Sequence, residues 1–213
     1  MLRVDFLVDG FNLYHSLKQA SDDLEGAHTR WLDLRSLLTS YLPLFGKEAV
    51  LGRIYYFSAL AHHLEKDSPG IVRRHQLYIE ALRSTGVRPV MGGFKKMNPM
   101  RCTGCNTRVS RREEKKSDVA MAVTLLERLV RDDADLVVLV TGDTDQVPAL
   151  HAAKTLCPTK AVHCAFPYQR KNNELEREAD GSFKMSRDNY CKHQFGETVV
   201  LKSGRKLVRP EKW

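Results

Sequence analysis

Strand-like and helix-like segments alternate along most of the chain. That alternation admits few folds beyond an α/β architecture with a mostly parallel sheet. Residues 2–8 read as a first strand and 12–20 as a short helix. Residues 31–45 read as an amphipathic helix through Leu34, Leu37, Leu38, Tyr41 and Leu42. A β-rich run over 50–57 precedes a helix over 71–84 and a short strand over 87–91. The strongest helix signal is 117–131, where Val119, Val123, Leu126 and Val130 recur at spacings of four and three. Residues 135–141, with Leu-Val-Val-Leu-Val at their centre, are the most strand-like run. A helix over 145–154 keeps Pro148 in its first turn, where proline is tolerated, and 159–166 is another strand. After Pro167 the composition turns polar, with a short helix expected over 186–193 and a hairpin over 197–208.

Composition narrows the class. The chain has 213 residues, 42% apolar and 28% charged, enough to bury a full core. Its 34 Lys and Arg against 26 Asp and Glu leave a net charge of +8, which fits a polyanionic partner. No apolar run approaches the roughly 18 residues of a membrane span. The first residues carry charges within their apolar stretch and lack a small-residue cleavage site, so they read as a strand and not a signal peptide. The expected location is the cytoplasm. Five unevenly spaced cysteines, at 102, 105, 157, 164 and 191, argue against a secreted disulfide scaffold.

The acidic residues fall at telling places. In a parallel α/β sheet, ligands bind at the carboxyl ends of the strands. Asp9 directly follows the first strand, Asp143 and Asp145 follow the strand over 135–141, and Asp118 opens the helix over 117–131. With the first and fourth strands adjacent, these carboxylates would meet at one edge and repel one another. A hard divalent cation, Mg²⁺ or Mn²⁺, relieves such repulsion. An acidic pocket in a basic protein then suits metal-assisted phosphodiester hydrolysis. Taken singly, each aspartate has a plainer reading: Asp9-Gly10 is a turn dipeptide, and Asp118 or Asp145 would serve as a helix cap. It is the set that points to chemistry. Asn12 would either hold a phosphate or metal water or cap the next helix. Thr141 or Thr144 would add a hydroxyl, and Gly142 permits the tight turn between them.

Three blocks carry a family resemblance: Val8-Asp-Gly-Phe-Asn-Leu-Tyr14, Glu114-Lys-Lys-Ser-Asp-Val-Ala-Met-Ala122 and Thr141-Gly-Asp-Thr-Asp-Gln-Val-Pro148. They resemble the signature blocks of the NYN domain, and more narrowly the bacterial LabA-like branch of the PIN-like nuclease superfamily. The resemblance covers roughly residues 1–166, with residues 167–213 as a C-terminal extension packing on or trailing the domain. It implies a three-layer α/β/α Rossmann-like domain and a metal-dependent ribonuclease site. It makes Asp9, Asp118, Asp143 and Asp145 both metal ligands and catalytic residues, with Asn12 beside them. Thr144 and Gln146 stand where the family often has a small residue and an aromatic.

Residues 92–116 form a basic excursion leading into Asp118. Arg111, Arg112, Lys115 and Lys116, with Asn12 and Thr141, are the expected substrate-binding residues, the substrate being RNA or single-stranded DNA. Phe94, Tyr168, Phe11 and Tyr14 are candidates for stacking on unpaired bases. Cys102-Thr-Gly-Cys105 is half of a structural zinc site without its second pair. Three readings stay open there: a Zn²⁺ shared between two chains of a homodimer, a redox pair, or a plain turn. Two other functions compete with a nuclease. One is a nucleic-acid-binding or regulatory module on the same fold. The other, a phosphatase or nucleotide-binding protein, is disfavoured because neither Gly-x-x-x-x-Gly-Lys-Ser/Thr nor a Gly-x-Gly-x-x-Gly after the first strand occurs.

Overall fold

Strands buried on both faces need near-continuous apolar runs. Leu136–Val140 is such a run, with all five residues buried, and so are residues 4–8. These two segments form the middle of the structure. The computed structural model describes residues 1–96, 100–101, 104–105, 108–109 and 112–211; for 100–101, 108–109 and 112–115 it describes the backbone alone. The first half contains β1 (Leu2–Asp9), α1 (Gly10–Asp23), α2 (Leu34–Thr39), β2 (Ala49–Ser58), α3 (Ile71–Ser84) and β3 (Arg88–Met91). The excursion holds short antiparallel strands: β4 (Gly93–Lys96), β5 (Met100–Arg101), β6 (Arg108–Val109) and β7 (Arg112–Lys115). Next come α4 (Ser117–Val130), β8 (Leu136–Val140), α5 (Val147–Leu156), β9 (Ala161–Phe166), α6 (Asn173–Glu178) and β10 (Gly181–Lys184). The described chain closes with α7 (Arg187–Lys192), β11 (Thr198–Val200) and β12 (Lys206–Val208).

The central sheet has the order β10-β9-β8-β1-β2-β3, and every pairing in it is parallel. Side chains alternate across each strand, so the sheet has two apolar faces and a core on each. Val4, Phe6 and Val8 pack with α1, α2 and α3 through Leu13, Leu37 and Leu82. Leu7, Val137 and Leu139 pack with α4 and α5 through Leu125, Leu129 and Leu150. This is the three-layer α/β arrangement. On the second face a charged pair is enclosed: Asp5 is fully buried and Arg128 nearly so, with Arg128 Nε 2.7 Å from Asp5 Oδ2. Among the described residues no helix is long and apolar enough to cross a membrane.

Two expectations change. The helix expected over 31–45 is cut to α2 plus a 3₁₀ turn at Leu42–Phe45. Ser40 bonds its hydroxyl back to the Leu37 carbonyl, and Pro43 brings no N–H to continue an α-helix. In α4 the buried stripe is Met121, Leu125, Arg128 and Leu129; Val119, Val123 and Val130 face outward. Both stripes have helical spacing, and the neighbouring elements decide which one is covered.

Residues beyond 166 are tied closely to the sheet. β10 is its edge strand, next to β9. Tyr190 on α7 is fully buried, and its hydroxyl accepts from Tyr168 N (3.0 Å) and lies 3.0 Å from Ser16 Oγ on α1. Ser16 itself donates to the Tyr168 carbonyl (2.9 Å), so the Tyr190 hydroxyl proton goes to Ser16. Trp31 Nε1 donates to the Gly196 carbonyl, and Leu32 and Gln194 form an antiparallel bridge.

Candidate active site

The register places the acidic segments together. β1 pairs with β8 with Val8 opposite Val140, so Asp9 and Thr141 emerge side by side at the carboxyl edge. Asp9 caps α1: its Oδ1 accepts from Phe11 N (3.1 Å) and Asn12 N (2.9 Å), satisfying N–H groups that the helix cannot. Its Oδ2 accepts from the Thr141 hydroxyl (2.9 Å). That hydroxyl, buried, in turn accepts from Asp143 N (3.1 Å). Thr141 therefore spans the two strand ends with its single proton committed to Asp9. Asn12 Oδ1 accepts from Gly142 N (3.2 Å), a second bridge, which leaves its amide NH₂ as a donor. Asp143 Oδ1 caps the following 3₁₀ turn by accepting from Asp145 N (3.1 Å).

Asp118 arrives from the other direction, in the first turn of α4. Its carbonyl accepts from Gln146 Nε2 at 3.4 Å, which ties α4 to the turn that carries Asp143 and Asp145. Burial raises the Asp118 carboxyl above its usual range, and the charges of Asp143, Asp9 and Asp145 raise it further. Asp9 is also raised, chiefly by burial against the lowering effect of its hydrogen bonds, with Asp143 adding repulsion. The four carboxylates thus share one electrostatic neighbourhood. Among the described residues none of them has a cationic partner in an ion pair. Nor do three His, Cys, Asp or Glu side chains, as placed, converge to hold a metal ion.

The expected substrate-binding residues divide. Asn12 and Thr141 are in the cluster. Lys116 lies directly before α4, exposed and left-handed (φ 86°), a backbone that costs a residue with a side chain about 1–3 kcal/mol. Arg111 lies outside the described residues, as do the side chains of Arg112 and Lys115. Cys102 is also outside them, and Cys105 is exposed, so zinc at this loop gains no support. Phe94 and Phe11 pack edge to face, with centroids 5.7 Å apart, and join the excursion to α1 beside Asp9.

One residue outside the expected site set joins it: Arg170, which the sequence offers only as part of the basic pair Arg170-Lys171, a further cluster for nucleic acid beside Arg73-Arg74 and Arg205-Lys206. Arg170 follows Gln169, which is held left-handed (φ 60°), in the loop after β9. Gly142 packs so closely on it that an added Cβ would lie 2.0 Å from the Arg170 carbonyl oxygen. Arg170 Nε is buried without a hydrogen-bond partner, and its charge lowers the His15 imidazole, whose largest perturbation is burial. The available signal was position, because the loop after β9 opens on the same sheet edge as Asp9 and Asp143. Gly142→Ala should therefore push the 167–170 loop off the site. A loss of about 1–3 kcal/mol in urea unfolding is expected, the range for overpacking.

Comparison with known proteins agrees with this fold. A solved structure of a protein of unknown function from Vibrio parahaemolyticus superposes with a TM-score of 0.57 at 16% identity, covering 88% of this chain and 94% of that one. MurG from Acinetobacter baumannii gives a TM-score of 0.38 at 11% identity, with 86% and 41% coverage. A UDP-N-acetylglucosamine 2-epimerase described as putative, from Listeria monocytogenes, gives 0.34 at 10%, with 90% and 43% coverage. The first likeness shows the fold alone; the other two carry no weight. No curated protein matches the chain. The family model described as NYN domain matches residues 3–186, which takes in both strand-end aspartates, α4 and the Arg170 loop, and the chain belongs to the NYN domain family.

Proposed function

We propose that the chain is a divalent-metal-dependent ribonuclease that hydrolyses phosphodiester bonds at the Asp9, Asp118, Asp143 and Asp145 cluster. The NYN domain belongs to the PIN-like nuclease superfamily, whose members typically use divalent metal ions. The observation that carries the reading is the hydroxyl of Thr141, which links Asp9 and Asp143 across two parallel strands and fixes both at one sheet edge.

The donor set fits a hard cation: it is all carboxylate oxygen, partly desolvated and mutually repelling, which Mg²⁺ or Mn²⁺ would relieve. When bound, such an ion supplies Lewis-acid stabilisation of charge on the phosphoryl oxygens. The chain's own groups do the rest. Thr141 and the helix N–H groups hold the Asp9 carboxylate in place. Asn12 keeps an amide donor for a phosphate oxygen, and Arg170 and Lys116 bring positive charge to a site otherwise hostile to a polyanion.

The test is cleavage of labelled single-stranded RNA and DNA with Mn²⁺ or Mg²⁺, with and without chelator. Cleavage that starts with metal and stops with chelator is expected, and cleavage that survives chelation sinks the proposal. Binding in chelator should weaken as salt rises, with a slope of about −0.7 per phosphate contacted on single strands. A second reading, a nucleic-acid-binding module without turnover, draws on one observation: both Asp9 oxygens are already engaged in hydrogen bonds. Binding without metal-stimulated cleavage would select it.

A further inference from the structure

Next to the acidic cluster, on the opposite side of α1's first turn, lies a cavity of about 400 Å³. That is within the roughly 300–1,000 Å³ of small-ligand pockets. It opens between α1 and α3 above the end of β2. Gly10, the residue after Asp9, forms part of its wall, so the two sites share the start of α1. Gly10 is what lets them approach: a Cβ there would lie 2.6 Å from the Phe57 carbonyl and 2.7 Å from the Tyr56 ring.

The cavity combines three kinds of surface. Its sides are aromatic and apolar, from Phe11, Tyr14, Tyr56 and Ile71. Ser58 and His75 supply neutral polar groups inside, with Ser58 Oγ 3.4 Å from His75 Nε2. Burial lowers the His75 imidazole to about 4, so it is uncharged at neutral pH. Arg30 and Arg74 supply positive charge. Arg74 is braced by neutral acceptors, the Pro69 carbonyl (2.9 Å) and Ser68 Oγ (3.2 Å). Among the described residues neither arginine forms an ion pair, although Arg74 lies within electrostatic range of Glu65, whose carboxylate accepts from Gly70 N and Val72 N. Aromatic side chains, neutral hydrogen-bonding groups and two guanidinium groups outside any ion pair match a nucleobase with its phosphates. An acyl chain would leave Ser58, His75 and both arginines unmet.

We propose that this cavity receives one unpaired base of single-stranded RNA, the one adjoining the phosphodiester presented to Asp9 and Asp143, while Arg30 and Arg74 hold that nucleotide's phosphates. The inference rests on the nuclease reading and adds to it a requirement for a locally unpaired strand, because a paired base cannot enter.

The experiment uses a ten-nucleotide single-stranded RNA in which one abasic residue is stepped through the sequence. Binding to the full chain is measured in chelator, so that nothing is cut. One position should bind about tenfold more weakly without its base, within the range that base stacking supplies. That penalty should vanish in Ala61→Trp, which fills the cavity from a partly exposed position. Arg74→Ala should weaken intact and abasic strands alike. Equal binding of all abasic strands overturns the proposal, and so does a penalty that persists in a folded Ala61→Trp chain. The abasic series on the unmutated chain decides the question even if that variant does not fold. Metal-dependent cleavage without an abasic penalty removes this pocket and leaves the nuclease reading standing. Absence of metal-dependent cleavage removes the nuclease reading by itself.

Discussion

Asp143→Asn is expected to lower metal-dependent RNA cleavage by about a thousandfold or more, the scale seen when one member of a catalytic unit is removed. The fold should survive the change. Asparagine keeps an oxygen to cap Asp145 N, and the backbone N–H of residue 143 still meets Thr141. In chelator the variant should in fact be more stable. It removes one of the charges that raise Asp9 and Asp118, a gain of up to about 1 kcal/mol after solvent screening, or ~2–4 °C in Tm. The two measurements together separate catalytic loss from unfolding. The same repulsion fixes a pH dependence. Asp9 and Asp118 have folded pKa values above their unfolded ones, so the folded state binds their protons more tightly. Their destabilising contribution is fully present at neutral pH and fades as pH falls through the raised values toward the ordinary carboxylate range. Metal-free protein should therefore gain from these groups on mild acidification, and saturating Mg²⁺ should remove that gain. Thermal melts across that window, with and without Mg²⁺, would show it.

Asp5→Ala should have the largest effect on stability, about 3–5 kcal/mol, the cost of leaving one member of a buried ion pair alone. Asp5 receives Arg128 Nε on one oxygen and Arg53 N (2.7 Å) on the other, and Arg128 also pairs with Asp133. Without Asp5, a nearly buried guanidinium keeps only its Asp133 contacts. A Tm drop of roughly 10 °C is expected. The double variant Asp5→Leu, Arg128→Met should recover most of it, because an apolar pair has no charge to leave stranded. If the single substitution proved neutral in urea unfolding, the ion pair would not matter to the fold.

The sequence was most readable where local and global signals agree. Strand 136–140 is apolar throughout and buried on both sides, so its being a strand was plain in its composition. The aspartates at the ends of β1 and β8 could be placed because a parallel sheet puts every strand's carboxyl end at one edge. What did not show was settled by partners far away in the chain. Val123 and Leu125 are equally good helical core residues, and only the packing of α4 against the sheet and α5 selects Leu125. Arg170 sits in a polar stretch with no motif, and its place depends on the close packing of Gly142. The cavity was equally hidden, since its lining comes from α1, β2, α3 and the loop that carries Arg30.

The clasp between residues 29–33 and 190–196 has a consequence for how the molecule is made. Thr29, Trp31 and Asp33 are fastened by Gln194, Gly196 and His193. A ribosome delivers those three fasteners some 160 residues after the loop they secure. Until then the loop that carries Arg30 is held only from α1 and α3, by Thr29 Oγ1 on the Leu17 carbonyl and the Tyr78 hydroxyl on the Leu32 carbonyl, so a growing chain completes its acidic edge before this wall of the cavity is fully fastened.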